Sequence, residues 1–62
     1  MLSKLKNLRE NKGYTQNQIA KLLQVSIRQY QRYESGAQEP TVSTAMQLSR
    51  IYNTNVESIF TP

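Results

Sequence analysis

A chain of 62 residues with neither cysteine nor histidine lacks disulfides, thiolates and imidazoles, and its four carboxylates, Glu10, Glu34, Glu39 and Glu57, are scattered; an enzyme is therefore not expected, and neither is a bound metal or cofactor. Eight Lys and Arg against four acids leave a net charge of +4, which favours a polyanionic partner but equally suits an ordinary soluble basic domain. No apolar run nears the length of a membrane span, and the opening MLSKLKNLREN interleaves charge with leucine where a signal peptide has an apolar block, so a cytoplasmic protein without membrane contact is expected.

Leucines at 2, 5 and 8 recur every three residues and predict an amphipathic first helix from Leu2 to Lys12, closed by Gly13 at its C-cap. Its other face carries Lys4, Lys6 and Lys12, which suit either a solvated surface or contact with phosphate. Arg9 lies beside the leucine stripe and need not face water.

The next stretch, TQNQIAKLLQVSIRQYQRYES, states one pattern twice. In Tyr14-Thr15-x-x-Gln18-Ile19, Thr15 can cap a helix, Gln18 can reach back to complete a capping box, and Tyr14 can staple onto Ile19. Val25-Ser26-x-x-Gln29-Tyr30 repeats the arrangement, and the gap from Leu23 to Ser26 admits only a tight turn. Two short helices should meet at a sharp angle. Ile19, Ala20 and Leu23 fall on one face of the first, Tyr30 and Tyr33 on one face of the second, and Val25 plugs the turn. The opposite face of the second helix carries Arg28, Gln31 and Arg32, with Ile27 at its exposed N-terminal end. Planar amides and guanidiniums placed there can pair with adenine or guanine edges in a major groove. Gln16 opens the preceding helix at the positive end of its dipole, where a phosphate can dock.

Ser35 to Thr41, SGAQEPT, reads as a loop; with only Gln38 and Glu39 as its long polar side chains, any phosphate contact there should rest on backbone N–H groups and be weak. Thr41 then caps a fourth helix whose buried stripe is Val42, Ala45, Leu48 and Tyr52, with Asn53 at its end and Met46 and Ile51 off the stripe. Asn55 caps a last turn from Val56 to Phe60. Phe60 either completes the core or joins Met46 or Ile51 in an apolar patch for a second subunit.

The segments TQNQIA, LLQVS, YQRYESG and EPTVSTAMQLS, followed by the apolar pair Ile59-Phe60, together resemble the Cro/CI-type (XRE-like) helix-turn-helix family of phage repressors. The resemblance runs from Leu5 to Phe60. It implies an all-α, five-helix, lambda-repressor-like domain over residues 1–62, with the helix-turn-helix (core 16–35) formed by helices 2 and 3. It also implies sequence-specific binding of double-stranded DNA by a transcriptional regulator, a repressor acting as a homodimer on a palindromic operator, with no small-molecule ligand. By the family's pattern Gln16 anchors a phosphate, and Ser26, Ile27, Arg28, Gln31 and Arg32 face the DNA. Arg28 and Gln31 are the leading base readers, while Arg32 can serve a base or a phosphate. Ile27 stands at the foremost reading position and either folds in beside Val25 or packs on a thymine methyl. Arg9 matches an arginine that pairs internally with the glutamate preceding the turn glycine, here Glu34. The chain departs from the family at Gln24, where a turn glycine is usual; a left-handed Gln24 would cost on the order of 1 kcal/mol. The alternative reading is an antitoxin or other protein-interaction module on the same fold.

Overall fold

The computed structural model describes residues 2–61. It contains β1 (Leu2–Ser3), α1 (Leu5–Lys12), α2 (Gln16–Leu23), α3 (Ile27–Ser35), α4 (Val42–Ile51), α5 (Val56–Ile59) and β2 (Phe60–Thr61). The five helices carry the fold, and the two short strands pair antiparallel, Leu2 with Thr61 and Ser3 with Phe60.

Most helix starts follow from local chemistry. Thr15 accepts the Gln18 amide at 3.1 Å while its own amide donates to Gln18 Oε1 at 2.8 Å, a complete capping box. Ser26, Thr41 and Asn55 accept the amides three residues on, from Gln29, Thr44 and Ser58. The second box is only half formed, because the Gln29 amide nitrogen donates forward to Tyr33 Oη at 3.1 Å instead of reaching back. The helix α1 has no side-chain cap and begins at Leu5, three residues later than its leucine repeat suggests. The chain before it is held by the strand pairing and by the Lys4 amide, which donates to the Ile59 carbonyl at 2.9 Å, so tertiary hydrogen bonds replace helical ones. At the other end Phe60 leaves α5 for β2.

Leu5, Ile19, Ala20, Leu23, Tyr30, Tyr33, Leu48, Tyr52 and Ile59 form the core, with Leu8, Tyr14, Val25, Ile51 and Phe60 packed against it. Val42 is a correction to the expected α4 stripe, being 78% exposed. On a wheel of about 100° per residue it lies about 90° from the centre of the Ala45–Leu48–Tyr52 face, in the first turn of the helix. Ile51, expected off that stripe, is half-buried against the core.

Gln24 closes α2 in the left-handed conformation, φ 60° and ψ 40°, and its amide donates to the Lys21 carbonyl. Glycine adopts this backbone freely, so Gln24→Gly should raise the unfolding free energy by roughly 0.5–1 kcal/mol, read from urea denaturation. A loss of stability would mean that the Gln24 side chain contributes more than its backbone costs.

The hydroxyls of Tyr30 and Tyr52 share a buried hydrogen bond of 2.8 Å. Burial, then the bond to Tyr52, raises the Tyr30 pKa far above the ordinary phenol range; burial likewise raises that of Tyr52. A raised pKa means the folded state holds its proton where the unfolded chain has lost it, so this stability is intact below about pH 10 and declines above it. Tyr30→Phe should cost roughly 1–2 kcal/mol by stranding the Tyr52 hydroxyl, and adding Tyr52→Phe should recover part of that. Urea titrations of both variants at neutral pH check this: additive losses would show that the two hydroxyls act independently.

Candidate nucleic-acid interface

Between α2 and α3 the chain turns in Gln24 and Val25, and the Val25 amide donates to the Ala20 carbonyl at 3.0 Å. The turn buries Tyr30 and Tyr33 on the inner side of α3, so Arg28, Gln31 and Arg32 are exposed on the outer side. Ile27, with two placements open from sequence, is 43% exposed at the first position of α3 and is not part of the core. Ser26 uses its oxygen as the α3 cap, which leaves its hydroxyl proton able to donate outward. Gln16 is half-buried at the first position of α2, where the helix offers amide donors that have no partner within it.

Glu34 lies behind this surface. Arg9 Nε donates to its Oε2 at 2.6 Å and Arg9 Nη2 to its Oε1 at 3.4 Å, while Arg9 Nη1 donates to the Tyr14 carbonyl at 3.0 Å. The two side chains are only 13% and 6% exposed. The hydrogen bond and charge of Glu34 raise the Arg9 pKa above its already high value, so the guanidinium stays charged throughout the pH range of a folded protein. The carboxylate of α3 is thus neutralised from inside, without a counter-ion on the outer surface.

The sequence treats Gln16 and Gln31 as separate contacts, whereas the structure joins them. Gln31 Nε2 donates to Gln16 Oε1 at 3.1 Å, and Gln16 Nε2 donates to Glu34 Oε1 at 3.3 Å. No local pattern relates residues on two crossing helices, so this continuous line from Arg9 to Gln31 is invisible before folding. The loop after α3 also differs from expectation. The amides of Gly36, Ala37 and Gln38 donate to Tyr33 O, Ser35 Oγ and Arg32 O. Those three N–H groups are engaged within the chain and are poor candidates for phosphate.

Among the described residues no three His, Cys, Asp or Glu side chains come together as a metal-binding group, and no helix is long and apolar enough to cross a membrane.

Residues 5–59 match the family model described as helix-turn-helix. A Pyrococcus abyssi protein described as an HTH-type transcriptional regulatory protein is 38% identical over 50 residues, covering 81% of this chain and 16% of that protein. A Thermococcus kodakarensis protein of the same description is 41% identical over 49 residues, 79% of this chain and 15% of its own length. The SPbeta prophage-derived HTH-type transcriptional regulator YonR of Bacillus subtilis is 35% identical over 54 residues, 87% of this chain and 50% of YonR. The chain therefore spans half or less of the length of these relatives.

Because the ion pair is nearly enclosed, removing one partner strands the other. Arg9→Met should lower the unfolding free energy by about 2–4 kcal/mol, and Glu34→Gln by less, since its amide oxygen can still accept from Arg9. Thermal or urea unfolding measures both. An unchanged melting temperature for Arg9→Met, together with lost DNA binding, would move Arg9 to the DNA surface.

Proposed function

The chain belongs to the Cro/CI-type (XRE-like) helix-turn-helix family of DNA-binding transcriptional regulators, and from that premise we propose that it is a repressor that binds a palindromic operator as a homodimer. The observation that carries this reading is the polarity of α3, with tyrosines inward and Arg28, Gln31 and Arg32 outward. In this reading α3 lies in the major groove. The Arg28 fork matches guanine O6 and N7, the Gln31 amide matches adenine N6 and N7, and the exposed Ile27 meets a thymine methyl. Gln16 and the first-turn amides of α2 hold a backbone phosphate, Ser26 donates to the backbone beside it, and Arg32 takes a base or phosphate further along.

One recognition helix makes a limited interface, so useful affinity calls for two half-sites engaged together. An apolar groove of about 330 Å³, lined by Val42, Ala45, Met46, Val56 and Phe60 with Glu39 and Glu57 beside them, is the candidate surface for the second subunit. Residues 1–62 act in this reading as one DNA-binding domain in the cytoplasm, alone or as a module of a longer regulator. Repression is favoured by the likeness to phage repressors and by the prophage-derived relative.

A second reading is an antitoxin-like module that holds a protein. It draws on the exposed Leu22, Val42 and Met46, which are 56%, 78% and 46% accessible. Gel shifts with DNA upstream of the chain's own gene, run beside a pull-down for protein partners, separate the two.

Affinity for duplex DNA should fall steeply with salt, in proportion to the phosphates each subunit neutralises. On the selected operator, Arg28→Ala should cost about 1–3 kcal/mol and relax preference at one base pair per half-site. Binding constants across single-base-pair variants at several salt concentrations check both. Salt-independent binding would contradict the DNA reading; an even loss across all sequences would make Arg28 a phosphate contact.

A further inference from the structure

The line of hydrogen bonds from Arg9 to Gln31 has a fixed direction, and the direction has a chemical origin. A carboxylate has no proton to give, so Gln16 must turn its Nε2 toward Glu34 Oε1. That choice leaves Gln16 Oε1 on the other side of the amide, able only to accept. Gln31 must then offer Nε2 to it, as it does at 3.1 Å. The Oε1 of Gln31 accepts no hydrogen bond among the described residues and, with the second Nε2 proton, remains for an outside partner. Without this line, an exposed glutamine amide can turn end for end at little cost, because its two ends have nearly the same shape.

We propose that Glu34, which touches no DNA, is a positioning residue for base recognition: through Gln16 it sets which end of the Gln31 amide faces Gln16 and which faces the groove. The inference rests on the reading of Gln31 as a base reader. A glutamine reads adenine by accepting from N6 and donating to N7, so its two ends must lie in one order along the base edge. The carboxylate fixes that order before DNA arrives and removes the ordering cost from the binding step. Arg9 holds the carboxylate in place, which gives the internal ion pair a second consequence beyond stability.

Glu34→Gln supplies the test because it reverses the logic while nearly preserving shape. The short bond from Arg9 Nε keeps the oxygen of the substituted amide at the Oε2 position, so the NH₂ takes the Oε1 position in place of the longer bond from Nη2 and faces Gln16, and Gln16 and then Gln31 must each present the opposite end. Bound sequences would be selected from random duplex DNA with the unaltered protein, Gln31→Ala, Glu34→Gln and Gln16→Met, after circular dichroism has shown which variants are folded. Gln31→Ala identifies the base pair that Gln31 reads. At that pair Glu34→Gln should reduce the ratio of matched to mismatched affinity about tenfold, or change the preferred base, while preference at the other positions holds. Gln16→Met leaves the ion pair intact and removes the middle link, so it should reduce the same ratio and decides the matter if Glu34→Gln does not fold. A general loss of affinity would not move this ratio. The proposal is overturned if Gln31→Ala erases a preference that the folded Glu34→Gln and Gln16→Met proteins keep within about twofold. If Gln31→Ala erases no preference, the assignment of Gln31 as a base reader fails, and this inference fails with it.

Discussion

Much of this structure depends on where one carboxylate is placed. Glu34 sits on the α3 segment that follows the outward arginines, where its charge would repel a polyanion if left open to the surface. Arg9 comes from α1 to cover it, directs a third donor to the Tyr14 carbonyl in the turn before α2, and so ties α1, the start of α2 and α3 together. A nearly enclosed pair of this kind is a modest source of net stability, because desolvation offsets most of the Coulomb attraction. It is a strong source of geometry, because a misplaced partner leaves a buried charge uncompensated. The orientation of α3 relative to α2 is therefore held by a polar constraint as well as by the apolar packing of Ile19, Ala20 and Tyr30.

Around that constraint a small core carries the remaining work. Among the described residues nine buried side chains form it, three of them tyrosines, so several of the large core residues bring a hydroxyl inside. The fold accommodates two of them by pairing Tyr30 with Tyr52 and a third by receiving the Gln29 amide on Tyr33. Each of these bonds joins α3 to the end of α4 or braces α3 along its own length. The helix that presents the outward residues is thereby stiffened from behind.

The exterior divides by chemistry. Arg28, Gln31 and Arg32 share one side with Gln16, whereas two of the four glutamates, Glu39 and Glu57, border the apolar groove formed by α4 and α5. The apolar groove and the cationic helix face are chemically distinct surfaces. The same five-helix scaffold presents both.

Local signals were legible in the sequence because they act over three or four residues. The caps at Thr15, Ser26, Thr41 and Asn55 and the inward faces of α2 and α3 follow from side chains that meet within a single turn of helix, whereas the left-handed Gln24 was expected only from the family's turn glycine. The pairing of Arg9 with Glu34 was reached only through the family resemblance, since residues 25 apart carry no periodic signature. What the tertiary structure alone decided are contacts between distant elements and the edges of the core. The strand pairing takes Leu2 and Ser3 out of the first helix, because backbone groups near the C-terminus satisfy theirs. Val42 stays in water because it lies at the edge of the buried α4 face, about 90° from its centre, where the core no longer covers it. The bonds from Glu34 to Gln16 and from Gln16 to Gln31 arise only where α2 crosses α3, so the orientation of a surface amide is determined by packing and not by its sequence neighbours.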